Sequence, residues 1–219
     1  MGLGVGHLVS HHTGLIEGHT YLHFVAPGLL AITAMQLGVS ESLWPILGAV
    51  KWVRSYHAAI STPLEPEDIV IGKLAWVSVR LFMTTAIYSI IILLFGATTS
   101  WWSFSLPLIG VLTGLAFAAP LMAFALTVQS DLPFATVYRF LVMPMFLFSA
   151  TFYPLHQYPM SLRWIVQVMP LYHGVALARS AAFGQGSLTS TLGHLAVLLI
   201  CAMVGVGLAR RYMRRRLVV

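Results

Sequence analysis

The sequence predicts an all-α, polytopic membrane helix bundle, a single transmembrane domain over residues 1–219 with five full spans. Three observations predict it. Hydrophobic residues make up 58% of the 219 and charged residues 8%, and the mean hydropathy is +0.86, a balance that excludes an ordinary soluble domain. The apolar residues gather into five long stretches punctuated by glycine and proline. In hydrocarbon no water satisfies backbone N–H and C=O groups, so such stretches form helices that cross a core about 30 Å thick. The formal charge of +6 falls to +1 once Arg210, Arg211, Arg214, Arg215 and Arg216 are set aside, so the basic excess is a membrane anchor at a helix end and not a nucleic-acid face.

Residues 1–9 are apolar and glycine-rich but too short to cross, and they lack the basic start and cleavage site of a signal peptide. Residues 1–20 therefore read as the outer end of a span that begins upstream. The spans expected are 25–50, 74–95, 106–128, 137–155 and 192–209. Lys51, Arg54 and Lys73 flank one connection, Arg139 follows another and the basic tail 210–219 closes the last span, whereas 98–105 carries no charge. The basic ends belong in the cytoplasm. Counting back from a cytoplasmic C-terminus leaves residues 1–20 outside, an odd number of crossings that one further upstream helix would make even.

The connection 51–73, KWVRSYHAAISTPLEPEDIVIGK, holds Glu65, Glu67 and Asp68, three of the six acidic residues. Thr62-Pro63-Leu64-Glu65 fits a capping box with proline at the first helical position. The alternative starts the helix at Pro66, with Glu67 and Asp68 in a first turn favoured by the positive end of the macrodipole. Either way a short helix, a proline corner and a helix start lie together at the membrane surface, as a solvated loop or as a docking surface.

Residues 154–190 are too interrupted to cross twice and too apolar for a free loop. Ser161 caps a short helix to residue 169, Pro170 breaks it, and a second short helix runs over 171–183 with Gly184 as its stop. Tyr158, Trp164 and Tyr172 suit the interface. These helices are either re-entrant or interfacial. Deep within the spans lie Glu41 and Arg80, which pair across helices or act separately, Arg80 by snorkelling and Glu41 by protonation. Met143, Met145, Phe146, Phe148, Ser149 and Thr151 form either a lining for bulky apolar cargo or packed surface. Gly110 and Gly114 make a small-xxx-small face for close helix contact.

Enzymatic signatures do not assemble. There is no H-E-x-x-H, and His7 with His11 and His19 with His23, with His12 and Glu17 between, do not converge three or four zinc ligands, so no metal site is assigned. There is no G-x-S-x-G elbow; Asp131, before Pro133, reads as part of a cytoplasmic turn. Cys201, the single cysteine, excludes an intrachain disulfide. No G-x-x-x-x-G-K-[ST] phosphate cradle is present, so the chain has no means of hydrolysing ATP.

The segments YLHFVAPGLLAITAMQ (21–36), ESLWPILGAVKWVRSY (41–56), TPLEPEDIVIG (62–72), GLAFAAPLMAFAL (114–126), FLVMPMFLFSATFYP (140–154) and PLYHGVALAR (170–179) resemble, in order, the permease subunits of type-2 ABC exporters. The nearest branch is that of nodulation-factor and daunorubicin-type drug exporters. The resemblance implies six helices, one more than the five seen, and re-entrant helices over the outer mouth. It implies contact with a separate ABC ATPase through residues 55–68, namely Ser55, Tyr56, His57, Thr62, Pro63, Leu64, Glu65, Glu67 and Asp68. It further implies no cofactor on this chain, with ATP and Mg used by the partner ATPase, a second permease copy, and export of an amphipathic drug, lipid or lipid-linked saccharide from a bacterial plasma membrane. The rival readings are an ion-driven secondary transporter with Glu41 and Arg80 as its relay and, less favoured, an intramembrane metalloenzyme.

Overall fold

The computed structural model describes residues 21–218. The upstream-span reading of residues 1–20, with His7, His11, His12, Glu17 and His19, lies outside the described residues. The described chain is all-helical. Helix α1 (Tyr21–Ser42) breaks at Leu43 and continues through the short α2 (Trp44–Leu47) into a π-turn at Gly48–Trp52. Then come α3 (Ser55–Ala59), α4 (Pro66–Leu94), a 3₁₀ turn (Trp101–Ser105) leading into α5 (Leu106–Thr127), and the interrupted pair α6 (Leu132–Val137) and α7 (Met143–Phe148), joined by a π-turn. Two short helices, α8 (Met160–Val168) and α9 (Pro170–Phe183), precede the last and longest, α10 (Leu188–Val218).

Among the described residues four stretches, His23–Trp52, Pro66–Leu94, Trp101–Thr127 and Leu188–Leu217, are long and apolar enough to cross a membrane. The span expected at 137–155 differs. Its helical run is Leu132–Phe148, about 25 Å at 1.5 Å per residue and short of a full core. Ala150 stops it by adopting φ 59°, a left-handed conformation that costs an L-residue about 1–2 kcal/mol. The chain then runs irregularly through Pro154.

Helix α5 is the hub, packed by α1, α4, α9 and α10, and small residues make that possible. A Cβ on Gly38 of α1 would stand 2.4 Å from the Gly114 carbonyl oxygen of α5, and one on Gly205 of α10 would stand 2.4 Å from the Pro120 nitrogen. Gly110 of α5 receives the Thr85 methyl of α4, and Gly174 of α9 receives the Thr113 methyl of α5. Without a hydrophobic driving force between helices in lipid, such close contacts supply the dispersion energy of association. Pro120 lacks an N–H, so α5 is short one backbone bond there, and Gly205 fills against the ring. Between these contacts the core is aliphatic, with Met35, Leu43, Ile46, Leu81, Met122 and Leu171 fully buried. The outer faces of α4 and α10 leave Trp76, Phe82, Met83, Ile87, Ile200 and Met203 exposed, as lipid contact requires.

The two short helices form before the last span. Gly184 ends α9 with φ 67°, and the backbone N–H groups of Thr99 and Ser100 donate to the Ala182 carbonyl, tying the α4–α5 connection to that end. Ser161 is not the cap of the first: α8 starts at Met160 after Pro159, with no side-chain capping bond, because Pro159 already fixes φ for a helix start. Arg179 clamps α9 in place. Its guanidinium donates to the carbonyls of Phe24 (3.2 Å) and Thr151 (2.8 Å) and lies 3.7 Å from the Phe24 ring centroid, a charge satisfied by carbonyls and a π face.

Candidate functional site: the 51–68 surface and the intramembrane ion cluster

The π-turn at the end of α2 delivers the chain to Arg54, which caps α3 in the left-handed region at φ 55°. Ser55 and His57 are exposed on α3, while Tyr56 turns inward onto the main core cluster. Burial pushes the Tyr56 phenol up to about 12. With the folded value above that of a free phenol, its contribution to docking α3 is complete below about pH 10 and is lost as pH rises toward 12. Subtracting the alkaline absorbance titration of Tyr56→Phe from that of the parent chain is expected to leave a single phenol ionising near the upper value.

Thr62, Pro63, Leu64 and Glu65 are exposed. The Thr62 hydroxyl donates to the Ala59 carbonyl at 2.6 Å, so it closes the turn after α3 and does not cap the next helix. Helix α4 starts at Pro66 instead. Glu65 is its N-cap, and a reciprocal capping box forms with Asp68, whose Oδ2 accepts the Glu65 N–H at 3.0 Å. Proline at the first position and two satisfied orphan donors make this a rigid start, and from it α4 runs without interruption into the membrane. Asp68 is exposed and Glu67 half-buried. Earlier along the chain Trp52 (61%), Val53 (74%) and Leu64 (49%) expose large apolar side chains on a segment otherwise rich in charge. Gln129, on the α5–α6 connection, braces the surface: its carbonyl accepts from Lys51 Nζ at 2.8 Å and its side-chain oxygen accepts from Arg216 at 3.3 Å.

Glu41, near the end of α1, is held by two cations of α4. Lys73 Nζ lies 3.1 Å from its Oε2, and the Arg80 guanidinium donates to its Oε1. The Glu41 and Lys73 side chains are almost buried and that of Arg80 is half exposed. Lys73 and Arg80 are seven residues apart, two turns of one face. Sequence reasoning placed Lys73 only as a flank of the connection. The missed signal was this spacing opposite a single carboxylate.

The six residues of the 143–151 group do not share one surface. Met143 and Phe148 are exposed, while Met145 and Phe146 pack half-buried on the core, Phe146 edge-on to Phe152 at 5.5 Å. Ser149 and Thr151 are fully buried and hydrogen-bonded to each other at 2.9 Å, so neither offers a hydroxyl to a cargo in this conformation. Left-handed Ala150 turns them both inward. Among the described residues no group of three or more His, Cys, Asp or Glu side chains could hold a metal ion.

Residues 1–183 match the family model for the ABC-2 type transporter. Over 219 residues the chain is 29% identical to nodulation protein J of Rhizobium leguminosarum bv. viciae, covering 99% of this chain and 82% of that protein. It is 28% identical to nodulation protein J of Rhizobium meliloti (strain 1021) over 99% and 81% of the two chains, and 30% identical to that of Neorhizobium galegae over the same shares. No solved structure matches the chain. A membrane bundle whose crossing helices close on a glycine-lined hub, with a sequence that fits this model along most of its length, belongs to the ABC-2 type transporter family as a membrane-spanning permease component.

Proposed function

We propose that this chain is the permease of an ATP-driven exporter, working as a pair of permeases with two copies of a separate ABC ATPase that docks on residues 55–68. The observation that carries the reading is the surface formed there. Exposed Leu64 lies on this segment, with exposed Trp52 and Val53 immediately before the segment, among charged residues, the composition of an interface with apolar anchors and a polar rim, and the capped start of α4 follows Leu64. A partner that moves this corner moves α4 as a rigid lever, the kind of element through which a nucleotide-driven change reaches a transport path. ATP is hydrolysed on the partner with Mg as its cofactor. The exposed faces of α4 and α10 meet lipid and the second permease. The distribution of Lys and Arg supports a bacterial inner-membrane protein with its C-terminal arginines in the cytoplasm. The cargo is amphipathic: an antibiotic, a lipid or a lipid-linked saccharide.

The test is co-purification of the permease with its ATPase after His57→Glu and Leu64→Glu are introduced together. Both side chains are exposed, so the permease is expected to keep its melting temperature while association weakens at least about tenfold. Undiminished association would place the ATPase elsewhere.

A further inference from the structure

We infer that the notch between the start of α4 and the end of α10 is a binding site for the phosphate of an anionic lipid headgroup. The packing of α10 creates it. Ala209 and Met213 are fully buried against the core, and at helical spacing this turns Arg210, Arg211, Arg214 and Arg215 to one flank. There they line an open notch of about 350 Å³ with Gly207 and with Glu67 of α4. Four arginines and one glutamate around the notch leave a local excess of positive charge. Arg210 Nε is buried and has no hydrogen-bond partner, a cost that a satisfied site would not carry. A phosphate is the ligand whose oxygens match several guanidinium forks at once.

The position in the bundle points to lipid as the carrier of that phosphate. Gly207 is exposed and a Cβ there would meet nothing within 4 Å, so the notch opens sideways at the end of the spanning stretch Leu188–Leu217. Directly along α10, Met203, Val204 and Leu208 are exposed, a strip on which acyl chains can lie while the headgroup sits among the arginines. Arg216 is excluded from the site, since its guanidinium donates to Gln129 on another side. Occupancy would brace α10 against the first turn of α4.

The experiment is native mass spectrometry of the detergent-solubilised full chain titrated with phosphatidylglycerol or phosphatidylcholine. Phosphatidylglycerol is expected to be retained in preference, and Arg210→Gln with Arg214→Gln is expected to lower its retention at least about tenfold. The charge-matched pair Arg139→Gln with Arg216→Gln should change it by less than about twofold, and Glu67→Gln should raise it. Equal losses in the two arginine pairs, or equal retention of the two lipids, would overturn the site in favour of diffuse attraction. Displacement of phosphatidylglycerol by millimolar inorganic phosphate would overturn the lipid assignment in favour of a free-phosphate site. Should the glutamine pair fail to fold, Arg210→Lys with Arg214→Lys, which keeps charge but loses the forks, is expected to lower retention in the same direction, and an unchanged value would count against the site.

Discussion

Gly38→Val is expected to destabilise the folded bundle severely. The added Cβ would stand 2.4 Å from the Gly114 carbonyl oxygen, a backbone atom in the middle of the hub helix that cannot rotate aside. Overpacking a core ordinarily costs about 1–3 kcal/mol, and the obstruction here is rigid and repeated, since Gly114 itself faces Leu81 and the Ala34 carbonyl. Relieving the clash means separating α1 from α5 along their length and giving up the small-residue contact that holds them. Size-exclusion chromatography after a heating series should show a loss of monodisperse protein at temperatures the parent chain survives. Gly72→Ala is the contrasting change. It meets nothing within 4 Å in the interior of α4, and alanine there is expected to raise stability by about 0.5–1 kcal/mol through backbone entropy.

Glu41→Leu is expected to be the most damaging single change among the charged residues. It leaves the largely buried Lys73 without its carboxylate and Arg80 without its partner. Breaking a buried pair by removing one member costs about 3–5 kcal/mol, and the lower end applies because Arg80 is half exposed and screened. Removing all three charges, with Glu41→Leu, Lys73→Met and Arg80→Leu, is expected to restore most of the melting temperature, since no unpaired ion remains. If that triple variant is also transport-competent, the cluster is a structural lock between α1 and α4; if it is stable but inactive, the charges serve the transport cycle. A single variant as stable as the parent would contradict the pairing.

Much of this was legible in the chain. Four of the five expected spans appear at nearly their expected positions because hydropathy over twenty residues is a strong signal and few competing structures satisfy a backbone in lipid. Pro170 and Gly184 bracket α9 for the same local reason in either setting: one fixes φ at a start and the other accepts a positive φ at an end. What the sequence concealed were choices among equivalent local bonds. Thr62 and Glu65 satisfy a capping-box pattern, but the hydroxyl bonds backward to Ala59 and Glu65 becomes the cap itself. Ser161 was a plausible cap beside a proline that made a cap unnecessary. The early end of the fourth span depends on Ala150 taking a conformation that alanine disfavours, so no residue there announces the break. The Lys73 link to Glu41 was hidden because a lysine near a span end has snorkelling as its default explanation.

At the 51–68 surface the residue types were readable and their accessibility was not. Only the fold shows that Tyr56 turns inward while Ser55 and His57 stay outside, which divides the segment into an anchor and an exposed face.

Dependence on the ATPase is read most directly from cargo transport in proteoliposomes containing the purified permease, with and without its ATPase and Mg-ATP. Transport is expected only when both are present, and is expected to fall strongly when the His57→Glu, Leu64→Glu permease replaces the parent. Transport at full rate by the permease alone, driven by an ion gradient, would contradict it.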